Sequence, residues 1–135
     1  MTMLETIAVA FSMFSAIPMP QFLWNEKNMR YALCAFPLIG AVIGAVCWGA
    51  WSLCGLLGLP NLLRGAILTL IPVLVTGGIH LDGYSDTCDA LASHASQEKK
   101  LEILKDPHVG SFAVIRICGY FVITLALWSA LKSFP

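Results

Sequence analysis

The sequence predicts an all-α fold, a polytopic transmembrane helical bundle of about three spans plus a short N-terminal re-entrant or interfacial helix. Three observations carry this expectation. Hydrophobic residues make up 58% of the 135 residues and charged residues only 12%, with a mean hydropathy of +0.78. A soluble domain carries roughly 25% charged residues. No charge occurs in the 33 residues between Arg30 and Arg64, whereas about 20 apolar residues cross a bilayer core. Polar residues are instead concentrated in one stretch, 80–108.

The same composition excludes other classes. Disorder requires low hydrophobicity and high charge. Eight Lys/Arg balance eight Asp/Glu, so the chain has no basic footprint for nucleic acid. Five cysteines, an odd number with no Cys-x-x-Cys pair, do not read as a disulfide scaffold. Residues 1–135 read as a single membrane domain with the lipid bilayer as its solvent.

The elements follow in chain order. Ile7 to Ile17 is apolar but stops at Pro18 and Pro20. Eleven residues are too few to span, which predicts a re-entrant or interfacial helix. It is not a signal peptide, because residues 1–26 hold no Lys or Arg for a positive leader. The first span is expected from about Tyr31 to Leu59, tilted or entered by a surface turn near Pro37. The Gly40-x-x-x-Gly44 spacing within it lets another helix approach closely. The second span is expected from Leu62 to Ile79, kinked at Pro72 and loosened at Gly77 and Gly78. The third is expected from Val109 to Leu131, with Arg116 as its only internal charge. Arg116 either snorkels to the interface or faces the polar stretch. Lys27, Arg30, Lys99, Lys100 and Lys105 fall on one side of this topology, and Arg64 and Lys132 on the other. The positive-inside rule then puts the 80–108 loop in the cytoplasm and the chain in the inner or plasma membrane.

The second span ends in His80-Leu81-Asp82-Gly83-Tyr84-Ser85-Asp86-Thr87-Cys88-Asp89. Three of the chain's four aspartates lie in these residues, and no Lys or Arg is interleaved. Positions 82, 86 and 89 share one helix face. Like charges so placed repel, and low dielectric raises the cost. A divalent cation offsets them, and an oxygen-rich donor set suits Mg²⁺ or Mn²⁺. Because Mg²⁺ typically takes one or two carboxylates plus substrate phosphates, the pattern points to phosphate or pyrophosphate chemistry. A merely solvated acidic face is the plainer reading of the same residues. Further on, Ser96 caps a short helix with Glu98 in its first turn. Pro107 and Gly110 then break the chain, and Lys105-Asp106 stands where a bend would return side chains toward the aspartates.

At this point the residues resemble a known family. Ile17-Pro18-Met19-Pro20, Phe36-Pro37-Leu38-Ile39-Gly40, Gly77-Gly78-Ile79-His80-Leu81-Asp82-Gly83 with Asp86 and Asp89, and Leu101-Glu102-Ile103-Leu104-Lys105-Asp106 with Gly110 occur in order. Together they closely resemble cobalamin synthase, the adenosylcobinamide-GDP ribazoletransferases. Ala90 stands where the family has Gly, and Asp106-Pro107-His108 where it has Asp-Ser-Arg. A later family segment with Gly-Asp-Thr and further carboxylates has no counterpart here, so a fragment, a truncated paralogue or half of a split protein is expected.

The resemblance implies a phosphotransferase of the last steps of cobalamin biosynthesis. In that reaction α-ribazole or its 5′-phosphate attacks adenosylcobinamide-GDP and GMP leaves. Asp82, Asp86, Asp89 and Asp106 would hold Mg²⁺, and Lys105 would meet phosphate oxygens. Asp86 or Asp89 would accept the proton of the attacking hydroxyl. A homo-oligomer, or a separate chain carrying the C-terminal half, is the partner such a short bundle calls for. Three other readings stand beside it. A membrane transferase of the CDP-alcohol type lacks support, because Ser85-Asp86 follows Tyr84 where that family has Ala-Arg. An ion pathway calls for mid-span carboxylates on several helices. An inactive truncated scaffold is the third.

Overall fold

The computed structural model describes residues 3–20 and 26–131, with side chains in the second segment described from Tyr31 onward. Lys132, which enters the orientation argument, lies outside these residues, as do the side chains of Lys27 and Arg30. The described chain is helical throughout: α1 (Met3–Phe14), α2 (Glu26–Leu56), α3 (Asn61–Thr76), α4 (Ile79–Ala92), α5 (Gln97–Ile103) and α6 (Ser111–Ala130). The membrane segments are Tyr31–Leu56 of α2 and Ser111–Ala130 of α6. A third appears if α3 and α4, bent by 92° across a short break, form one broken span.

Helix α1 is too short to span, as its sequence predicts, and it packs lengthwise on α2. Val9 and Ala10 on α1 and Ala32 and Ala35 on α2 form a small core of almost wholly buried residues. Small residues on both helices allow that approach. Helix α2 runs straight through Pro37 rather than beginning with a turn there. The rest of α2 is largely open, with Trp48 74% exposed, as a lipid-facing surface should be.

The chain turns where the sequence expects the second span to loosen, at Gly77 and Gly78. Helix α3 continues through Pro72 to Thr76, and the change of direction comes at the two glycines. Proline removes its own N–H from the ladder and its ring crowds the carbonyl four residues back. The Thr76 hydroxyl donates to the Pro72 carbonyl at 2.8 Å, adding a local bond that favours the last turn. Gly77 (φ 64°) and Gly78 (φ 81°) are both left-handed, a conformation glycine adopts without strain. Their N–H groups donate to Leu74 O and Val73 O and close α3.

The Gly40–Gly44 expectation changes. A Cβ at either position would meet nothing within 4 Å, so no helix of the described chain packs tightly against either glycine. The close approach is at Gly65, where α3 meets α6. A Cβ at that position would lie 3.0 Å from the Ser129 backbone nitrogen and 3.1 Å from the Leu125 carbonyl oxygen. Those are backbone atoms that cannot step aside. Gly65→Val is therefore expected to cost about 1–3 kcal/mol through overpacking, lowering the thermal midpoint in detergent. An unchanged midpoint would show that α3 and α6 are free to separate.

Candidate functional site

The three expected carboxylates do lie on one helix, α4, and its 100° step per residue puts them on one face. Their surroundings differ. Asp82 is exposed and Asp86 half-buried. Among the described residues, neither carboxylate has a hydrogen-bond donor or an ion-pair partner. Asp82 lines a cavity of about 450 Å³ together with Gly77, Gly78, Ser85, Val109 and Ile117. The double-glycine elbow thus forms one wall beside Asp82, and α6 forms another.

Asp89 is fully engaged. One of its carboxylate oxygens accepts the Gly110 N–H at 2.6 Å, and the other accepts the Ala113 N–H at 2.9 Å. Gly110 is the N-cap of α6 and has no side chain with which to cap. A helix leaves its first N–H groups without intrahelical partners. Asp89 satisfies two of them from another helix, and its negative charge faces the positive end of the α6 dipole. Gly110 must be glycine for this contact, since a Cβ there would stand 2.6–2.7 Å from the Asp89 carboxylate atoms. Ala90 on α4 and Ala113 on α6 are buried near the same seam.

The second polar stretch folds as its sequence predicts but points elsewhere. Ser96 accepts the Lys99 N–H and opens α5. The Glu98 carboxyl is held below its ordinary value by its own backbone N–H and by Ser96. Lys99 and Glu102 form an exposed ion pair at 2.6 Å, worth little in water. Lys105 is exposed. Asp106 accepts the His108 N–H at 3.0 Å and meets the His108 ring at 2.6 Å. Those contacts hold its carboxyl below the usual 3.8, so the pairing persists above that pH and is lost as pH falls through the depressed value. Among the described residues no three His, Cys, Asp or Glu side chains are grouped to hold a metal ion. Asp82, Asp86, Asp89 and Asp106, which the resemblance implies as Mg²⁺ ligands, are not gathered into one cluster among the described residues. What returns to Asp89 from the loop is the backbone of Gly110 and Ala113, not Lys105 or Asp106.

Two further features were not legible in the sequence. His80 packs with Phe14 and Phe36, at centroid distances of 6.3 and 5.5 Å, and Phe14 meets Phe36 edge-on at 5.2 Å. This aromatic cluster joins α1, α2 and the start of α4. The Ala16 N–H also donates to Val75 O at 2.8 Å, so the N-terminal segment braces the elbow. Arg116 is exposed and does not lie beside the aspartates. It lines a separate cavity with Tyr84, Thr87, Cys88 and His94.

The cobalamin-5-phosphate synthase (CobS) family matches residues 6–134. A Lachnoclostridium phytofermentans protein named adenosylcobinamide-GDP ribazoletransferase is 51% identical over 131 residues, covering 97% of this chain and 50% of that protein. Proteins of the same name from Clostridium botulinum and Listeria monocytogenes are 38% and 35% identical, covering 87% and 93% of this chain and 46% and 50% of their own lengths. The chain thus spans about half the length of the curated relatives it matches. No solved structure matches it.

Proposed function

Because this chain belongs to the cobalamin-5-phosphate synthase family, we propose that it supplies the acidic half-site of a membrane phosphotransferase. In this reading the enzyme joins α-ribazole, or its 5′-phosphate, to adenosylcobinamide-GDP. A ribose hydroxyl oxygen attacks the phosphorus attached to cobinamide. The bond from that phosphorus to the bridging oxygen of GMP breaks, and GMP leaves with the bond electrons.

The observation that carries the proposal is a pair of carboxylates one turn apart, Asp82 beside the glycine elbow and Asp86, both without a partner among the described residues. Two carboxylates without a closed cage fit the Mg²⁺ habit of completing its shell with water and substrate phosphate. Bound there, the ion would neutralise charge on the pyrophosphate and on the departing GMP. Asp86 has a carboxylate free to accept the hydroxyl proton. Asp89, with both oxygens committed to α6, serves as a positioning residue instead. Lys105 offers an exposed ammonium for phosphate oxygens, and Asp106 stands beside it, tied to His108. The glycine elbow leaves backbone room next to Asp82 for a bulky substrate. The loop is assigned to the cytoplasm by its lysines, and the remaining helices of the site would come from a second copy or a C-terminal half-chain.

The test is GMP release from adenosylcobinamide-GDP and α-ribazole, measured with this chain in detergent, alone and with the C-terminal half of the Lachnoclostridium phytofermentans relative. Release that requires Mg²⁺ and disappears with EDTA is expected in at least one arrangement. No release in either, or release indifferent to EDTA, would reject the reading.

A further inference from the structure

Asp82 and Asp86 occupy one side of α4, and the transfer chemistry assigns nothing to the other. Tyr84, Thr87 and Cys88 stand roughly 140–240° around the helix from Asp82. They line a separate cavity of about 500 Å³ with His94 beyond the end of α4 and Phe112 and Arg116 on α6. That volume suits a small organic anion. Arg116 is the only charge in α6, about 9 Å beyond Gly110 along the axis. Among the described residues no carboxylate lies within ion-pair distance of it. A cation inside an apolar helix is expensive unless an anion or the interface relieves it. Donors already surround the opening. Tyr84 and His94 line it together with Arg116. His94 holds a left-handed backbone (φ 51°), unique among the described non-glycine residues.

We propose that this cavity is a phosphate-binding subsite. The Arg116 guanidinium takes the anion, whose oxygens match its planar fork. The Tyr84 hydroxyl and the His94 ring supply the remaining donors. At a membrane edge this chemistry has two sources, the headgroup of an anionic lipid and a soluble phosphate monoester. The subsite does not depend on the transfer reading, because it is tested by occupancy of Arg116 rather than by turnover.

The experiment follows phenylglyoxal modification of Arg116 by peptide mass spectrometry, with the chain in dodecyl maltoside, a detergent without phosphate. One arm adds α-ribazole 5′-phosphate and the other short-chain phosphatidylglycerol. At least one is expected to slow modification of Arg116 by about tenfold, the scale of one charge-assisted hydrogen bond. Protection in the first arm alone identifies a soluble monoester, and in the second alone a lipid headgroup. Protection in both identifies a subsite that accepts either. Tyr84→Phe combined with His94→Asn, which keeps a residue tolerant of the left-handed backbone, is expected to reduce protection to less than about twofold. No protection of the unmodified chain in either arm would overturn the proposal. So would full protection in a folded double variant, since Arg116 would then bind anions without the cavity.

Discussion

Asp82→Ala and Asp86→Ala are each expected to reduce Mg²⁺-dependent GMP release by about a thousandfold, close to 4 kcal/mol of transition-state stabilisation. The substitutions are to be made in whichever arrangement of chains shows activity. Neither carboxylate holds the fold together. Both lack protein partners among the described residues, and removing one relieves repulsion across a single helical turn. Stability in detergent should therefore stay within about 0.5 kcal/mol of the parent, and membrane insertion should be unchanged. A loss of turnover with unchanged melting distinguishes metal and phosphate handling from a packing role. Turnover retained by both variants would remove these aspartates from the chemistry.

Asp89→Ala should behave in the opposite way. It exposes two N–H groups at the start of α6 and removes a charge from the positive end of that helix. The expected loss is about 2 kcal/mol of stability, with lower activity as a consequence of a displaced α4. Asp89→Asn should fall between, because an amide keeps one acceptor oxygen and gives up the charge. Gly110→Ala should mimic Asp89→Ala by driving a Cβ into the carboxylate. Combined with Asp89→Ala, it should add little. Additive losses in that double-mutant cycle would show that the clamp is not a shared interaction.

The contrast between these neighbours marks where the sequence stops being informative. Hydropathy located α2 and α6 because a span is a one-dimensional property of the chain. The short α1, the acidic face of α4 and the Ser96 cap of α5 were legible for the same reason, each depending on residues within a few positions. Asp89 and Gly110 are 21 residues apart. No local pattern links them, although a glycine at the head of an apolar helix does signal that its cap must come from elsewhere. The loosening at Gly77 and Gly78 was legible because two adjacent glycines adopt the left-handed conformation without strain, and the chain turns there. Gly65 was passed over because it forms no spaced motif. Its importance comes from the backbone of Leu125 and Ser129 across the bundle.

The aromatic cluster and the Ala16–Val75 bond also set an order of assembly. Helix α1 is synthesised before α2 and can rest on it as soon as both have emerged. The atoms that fasten its end do not yet exist. Val75 and His80 are translated about sixty residues after Ala16, an interval of roughly 3–12 s at ordinary elongation rates. Helix α1 is thus fastened by residues made well after it, and the elbow beside Asp82 gains its brace only after the segment that forms it has left the ribosome.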